Sequence, residues 1–238
     1  MAGEGDLKLL GMVVSPFVVR VRMALHLKGV SYEYIEQDLL NKGELLLKYN
    51  PVHKKVPVLV HNGKPICESL AIVQYARFWY VDEALAASSP SILPADPHNR
   101  AVARFWAAYV DDKFFPAWIG VMRAETEEDR AKKMSETAAV VEQLEAALAQ
   151  CSNGKAFFSG ESVGYLDIAV GCNLFWLDAM RKMFGVVVID AARTPGFAAW
   201  ADRFRESGVG KKVLPDADVA AEYAKKIQAY RAAAAASK

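Results

Sequence analysis

Val56-Pro57-Val58-Leu59-Val60-His61-Asn62-Gly63-Lys64-Pro65-Ile66-Cys67-Glu68-Ser69 reads as an apolar strand, a tight turn, a second strand and a helix start. Asn62-Gly63 favours the turn that joins antiparallel neighbours, because both residues tolerate positive φ. From Ser69 to Phe78, Leu70, Ile72, Val73, Tyr75 and Ala76 supply an apolar face. The stretch therefore predicts a β-β-α unit.

Upstream, Leu7 to Val14 reads as a buried strand and Tyr32 to Asp38 as a second one. Between them Val18, Val21, Ala24, Leu25 and Leu27 recur at helical spacing, with Pro16 suited to the first turn and Gly29 to the stop. A β-α-β order implies a parallel pair with a crossover helix. Joined to the β-β-α unit, it is the order of a thioredoxin-like α+β domain, placed at residues 1–80. Residues 81–97 contain Ser88-Ser89-Pro90-Ser91 and Pro94-Ala95-Asp96-Pro97, which is loop chemistry around one possible helical turn at Ala84–Ala87. This is the expected linker. Residues 98–238 read as an all-helical bundle, with patterns over Arg100–Arg123, Glu125–Gln150, Leu166–Met183, Pro195–Glu206 and Ala217–Ala236. The Ala232–Ala236 tail has little to pack and is expected to fray.

The bulk numbers exclude several functions. Lys+Arg 29 against Asp+Glu 28 gives a net charge of +1 with no basic block, so nucleic acid is a poor partner. Cys67, Cys151 and Cys172 form no C-x-x-C pair, which argues against a disulfide framework and against a metal site, and for a reducing compartment. No apolar signal segment and no run of ~20 apolar residues is present, so a cytosolic protein with no membrane span is expected.

Few residues offer chemistry. Ser15 ends the first strand just before a helix N-terminus, where a redox protein of this fold would carry a cysteine. Its hydroxyl and the helix dipole could stabilise a bound thiolate; the alternative is a plain helix cap, which Ser favours. Pro57 opening a strand is compatible with an ordinary trans bond, or with a cis bond that would turn the Val56 N–H and C=O outward to an extended peptide. Ser69 reads as the N-cap of its helix, beside Glu68; the pair suits a carboxylate and an ammonium on one carbon, as in a γ-glutamyl group. Lys42, Lys54 and Lys55 read as loop lysines that could meet a second carboxylate. His53 has no partner visible from spacing.

The run Asn50-Pro51-Val52-His53-Lys54-Lys55-Val56-Pro57-Val58-Leu59, followed by Asn62-Gly63-Lys64-Pro65-Ile66-Cys67-Glu68-Ser69, resembles glutathione S-transferases of the plant tau class. Arg104-Phe105-Trp106, Tyr109-Val110-Asp111 and Gly164-Tyr165-Leu166-Asp167-Ile168-Ala169 fit the same class. The resemblance implies glutathione as co-substrate with no bound cofactor, and a homodimer. It implies Ser15 as the hydroxyl that stabilises the thiolate, Glu68 and Ser69 at the γ-glutamyl end, Val56 at the cysteinyl backbone beside a cis Pro57, and Lys42 and Lys55 at the glycyl carboxylate.

Apolar electrophiles are expected between the domains, against Phe17, Phe115, Ile119 and Met122, in a helix that Pro116 should kink. Trp176, Tyr223 and Ile227 match family positions that close this pocket; core packing is the alternative for each. The chain departs from the class at Val13-Val14, where an aromatic or proline pair is usual, and at Gly164, where Ser or Thr usually completes a capping box with Asp167. Two other activities fit the same fold. A carrier of apolar ligands would bind without turnover, and a thiol transferase would need a cysteine at position 15. Reduction of hydroperoxides would use the same activated thiolate.

Overall fold

The structure, a computed structural model, describes residues 6–79 and 91–236. The expected turn at Ala84–Ala87 lies outside the described residues. The first half is built from β1 (Leu7–Gly11), α1 (Pro16–Leu27), β2 (Glu33–Glu36), α2 (Glu44–Tyr49), β3 (Val58–His61), β4 (Lys64–Cys67) and α3 (Ser69–Trp79). The sheet order is β2-β1-β3-β4. β1 and β2 are parallel, and the hairpin pairs Val58 with Cys67 and Val60 with Pro65. Asn62 and Gly63 both have positive φ, at 49° and 75°, as the turn requires.

Helices make up the second half: α4 (Pro97–Tyr109), a π turn (Val110–Phe114), α5 (Phe115–Arg123), α6 (Glu127–Ser152), α7 (Tyr165–Gly171), α8 (Leu174–Phe184), α9 (Pro195–Glu206), α10 (Gly208–Val213) and α11 (Ala217–Ala236). Four expectations are corrected here. β1 stops at Gly11 rather than Val14, because the chain turns and the Ser15 N–H donates to the Met12 carbonyl. α2 occupies a stretch read as loop; six residues that bury only Leu46 leave little periodic signal. The helix around Pro116 divides at the π turn, which widens the backbone just ahead of the residue that lacks an N–H. The helix expected over Leu166–Met183 breaks at Cys172-Asn173, where Asn173 Nδ2 donates to the carbonyls of Ala169 and Val170. α10, not foreseen, is capped by Ser207, whose hydroxyl accepts from the Gly210 N–H.

α1 joins the halves. Val18, Val21 and Leu25 face the sheet core, while Val19, Met23 and Ala24 enter the core of the helical half. Correspondingly, α1 packs against α3 on one side and against α7 and α10 on the other.

Gly164 proves to be a steric requirement rather than a weak cap. Its N–H still donates to Asp167 Oδ2, but a Cβ there would lie 2.2 Å from Ser159 Oγ and 2.9 Å from the Ile92 carbonyl. Gly164→Ser, which restores the usual class residue, should therefore destabilise the fold by ~1–3 kcal/mol, the cost of overpacking. Ser159→Gly added to it should recover part of the loss in thermal unfolding, because it removes the Ser159 contacts and leaves that with the Ile92 carbonyl. Additive losses in the double variant would contradict the steric account.

Candidate active site

Ser15 caps α1 from extended backbone (φ −82°, ψ 119°) and is buried. Its carbonyl takes the N–H groups of Val18 and Val19, while its Oγ accepts from the Val18 N–H at a long 3.4 Å. Among the described residues the hydroxyl proton has no acceptor, so it is available to a ligand. Capping and thiol activation are thus compatible in one residue.

The turn before it is held at two points. Glu36 Oε1 accepts from the Val13 N–H at 3.1 Å, and the Val14 carbonyl accepts from Trp176 Nε1 at 2.8 Å.

Two residues after Ser15, Phe17 enters the lining of a cavity of about 210 Å3, shared with Lys55, Val56, Pro57, Glu68 and Ser69, with Asp111 entering from the helical half; Ser15 itself does not line it. The Val56–Pro57 bond is cis. The Val56 N–H and C=O make no hydrogen bond among the described residues, so an extended ligand could pair with both. Asn50 braces this edge: its Nδ2 donates to the Lys55 carbonyl, and its Oδ1 accepts from the His53 N–H.

Glu68, not Ser69, caps α3: its carbonyl accepts from the Ile72 N–H, and its φ is +70°. A left-handed non-glycine residue costs on the order of 1 kcal/mol. Between β4 and α3 that conformation leaves the Glu68 carboxylate 71 % exposed, with His53 Nε2 3.9 Å away. Ser69 is the first helical residue, and its hydroxyl accepts from Arg20 Nη1 at 2.9 Å.

Arg20 was not foreseen. It lies fully buried in α1, donates to both carboxylate oxygens of Asp111 and to Ser69, and reaches the Ala169 carbonyl. Burial penalises its charge, but the surroundings outweigh that penalty and raise its pKa. The nearby Cys172 thiol, pushed by burial to about 11, is neutral at pH 7, so Asp111 is the working counter-charge. The available sequence signal was weak, since Arg20 is one of two arginines in α1, with Arg22, and only burial separates them.

The remaining expected residues are dispersed. Lys42 is exposed in the bend before α2 and does not line the cavity. Phe115 meets Phe17 with ring centroids 4.9 Å apart. Ile119, Tyr223 and Ile227 are half-buried, whereas Met122 and Trp176 are buried. None of these six lines the 210 Å3 cavity. A roomier groove of about 660 Å3 between α8 and α9 contains none of the expected residues, and its Arg205 is already paired with Asp178 and Asp202.

The cysteines lie elsewhere. Cys67 is in β4, Cys151 in α6 and Cys172 after α7, and burial raises the pKa of each thiol. No cluster of His, Cys, Asp and Glu able to hold a metal occurs among the described residues, and no helix there is long and apolar enough to cross a membrane.

A thioredoxin-like sheet that offers a hydroxyl instead of its own thiol, and shares its first helix with an all-helical domain, has the build of an enzyme acting through a bound thiol. Residues 5–77 match the family description "Glutathione S-transferase, N-terminal domain" and residues 127–203 match "Glutathione S-transferase, C-terminal domain". The chain belongs to the glutathione S-transferase family, in its tau class. It is 50% identical over 220 residues to a probable glutathione S-transferase, GSTU6, of Oryza sativa subsp. japonica, covering 91% of each chain. A tau-class glutathione S-transferase from mango, Mangifera indica, superposes with a TM-score of 0.83 at 47% identity, covering 92% of this chain and 97% of that one. A rice enzyme, OsGSTU1, solved in complex with glutathione, gives a TM-score of 0.81 at 35% identity over 96% and 99% of the two chains.

Proposed function

We propose that the chain binds glutathione in the 210 Å3 cavity and joins its thiol sulfur to apolar electrophiles, giving thioethers of the whole tripeptide. The observation that carries this reading is the convergence of Lys55, Val56, Glu68 and Ser69 on one cavity that Phe17, two residues after the uncommitted Ser15 hydroxyl, also lines. The ammonium of the γ-glutamyl group would face Glu68, and its carboxylate would meet the Ser69 region at the start of α3. The cysteinyl backbone would pair with the open Val56 N–H and C=O, and Lys55 would meet the glycyl carboxylate. Lys42, exposed before α2, does not line the cavity and is left out of that contact.

The thiol gives up its proton to solvent, the thiolate accepts the Ser15 hydroxyl hydrogen bond, and sulfur attacks the electrophilic carbon. A carbon–sulfur bond forms as the leaving group departs with its electron pair. Lowered thiol pKa and juxtaposition of two reactants supply the rate. Phe17 and Phe115, in contact across the domains, support an aromatic wall for the electrophile.

Residues 1–80 would form the glutathione domain, 81–97 the linker and 98–238 the electrophile domain. Val52 and Phe105, respectively 80% and 62% exposed, support a homodimer that covers them. A cytosolic location fits the unpaired cysteines.

Incubating the protein with glutathione and a panel of electrophiles and organic hydroperoxides, with products followed by mass, tests the function directly. Thioethers are expected; tight ligand binding with no product would favour a carrier instead. Glu68→Gln should raise the glutathione KM by ~10-fold or more, since a charge-assisted hydrogen bond is worth ~1.5–3 kcal/mol. An unchanged KM would limit Glu68 to starting α3.

A further inference from the structure

The residues on both sides of Ser15 are held by the helical half, and by one continuous stack of rings. Trp176 Nε1 donates to the Val14 carbonyl at 2.8 Å, across 162 positions of sequence. The Trp176 ring stacks on Trp118, with centroids 6.0 Å apart and planes at 24°. Trp118 meets Phe115 edge-on at 5.2 Å, and Phe115 closes on Phe17 at 4.9 Å. The bridge thus leaves the chain at Val14 and returns to it at Phe17. Its middle is fixed, because Trp118 is fully buried and its own N–H is tied to Asn173 Oδ1 at 3.2 Å. Trp176 is only 7% exposed and its N–H is spent on backbone, which suits a brace better than a substrate wall.

The turn needs such a brace. Residues 12–15 lie beyond the β1 ladder, and the Glu36 contact at Val13 is exposed to solvent. A hydroxyl stabilises developing charge only when preorganised, and an error of about 1 Å forfeits most of its effect.

We propose that the Phe115–Trp118–Trp176 stack is a positioning device for Ser15, so that thiolate stabilisation in the sheet domain depends on aromatic packing in the helical one. This rests on the assignment of Ser15 to the glutathione thiolate. Trp176 is then a positioning residue, and its loss should be felt in the chemistry of the thiol before it is felt in the choice of electrophile.

The test is titration of the thiolate absorbance of bound glutathione in wild type, Ser15→Ala and Trp176→Phe, with conjugation kinetics on a small and a bulky electrophile. Trp176→Phe keeps a ring in the stack and removes only the N–H. Arg20, Asp111, Lys55 and Glu68 around the cavity, Glu36 at Val13, and Tyr223 on α11 are all left in place. The thiol titration should move up by roughly half a unit to one unit in Trp176→Phe, with kcat down ~3- to 10-fold, one unit being a factor of ten. The glutathione KM should stay within ~2-fold, and both electrophiles should lose equally.

A wild-type titration in Trp176→Phe overturns the proposal. A loss confined to the bulky electrophile would then make Trp176 a substrate wall, and a lowered Tm alone would make it core. Ser15→Ala separates the two assignments: if it too titrates like wild type, the Ser15 assignment fails, whereas a shift in Ser15→Ala alone removes only the brace. Should Trp176→Phe not accumulate in folded form, Phe115→Leu opens the other end of the stack, and the same titration decides.

Discussion

Ser15→Ala is expected to lower kcat for thioether formation by ~10²-fold or more, the scale on which loss of one preorganised donor to a developing anion is felt. The fold should survive. The Ser15 hydroxyl accepts from the Val18 N–H at a long 3.4 Å, so its cap is worth only about 0.5–1 kcal/mol, at the low end for such residues. The pH dependence carries the sharper signature. A hydrogen bond donated to the thiolate lowers the thiol pKa from about 8.5, by ~1.4 kcal/mol for each unit. Without the hydroxyl the bound thiol regains a higher pKa, so the rate profile moves to higher pH. The deficit should be greatest under mildly acidic conditions and should narrow as the pH passes the pKa of the unassisted thiol. Conjugation near the wild-type rate at pH 6 would remove Ser15 from the mechanism.

Asp167→Ala should destabilise the helical half by ~4 kcal/mol or more, beyond the range of ordinary substitutions. The carboxylate is completely buried at the start of α7. Its Oδ1 accepts from the Phe158 N–H and from Trp200 Nε1, and its Oδ2 from the N–H groups of Ser159 and Gly164. Burial pushes its pKa up, with the four donors pulling the other way. Removing it strands three buried donors, each costing ~1–3 kcal/mol, and the partly buried Ser159 N–H. Asp167→Asn gives little relief, because either orientation of the amide turns an NH2 toward two donors. Chemical denaturation of the two variants checks this, and an Asn variant as stable as wild type would mean that the loop over Phe158 and Ser159 rearranges freely.

How legible the sequence was depends on how local the cause of each feature is. α1 and the hairpin were readable because Pro16, Gly29 and Asn62-Gly63 mark their ends within a few residues. The cis bond at Val56–Pro57 was left open by the residues and supplied by the resemblance, since no local composition separates it from a trans one. α2 buries too little to show a period. The break at Cys172-Asn173 was hidden because apolar residues continue on both sides while the Asn173 side chain diverts the backbone. In the site, Lys55, Val56, Glu68 and Ser69 converge as expected. Trp176 reads in the sequence as part of the electrophile pocket, with core packing as the alternative; that its N–H ends at Val14 depends on packing between distant segments. Arg20 illustrates the opposite error, a charge inside an apolar period that reads as a minor defect until Asp111 and Ser69 are seen around it.

Arg20 also bears on how the chain can be taken apart. One guanidinium serves Ser69 and Asp111, so the sheet domain carries the cation and the helical domain carries its neutraliser. Severed from residues 91 onward, the first domain would expose Val19, Met23 and Ala24 and leave a charged group against an abandoned surface. Hybrids assembled by exchanging halves between relatives would work only when both parents bring the Arg20–Asp111 pairing, whatever their electrophiles. In this chain each half is thus incomplete without the other's share of one buried contact.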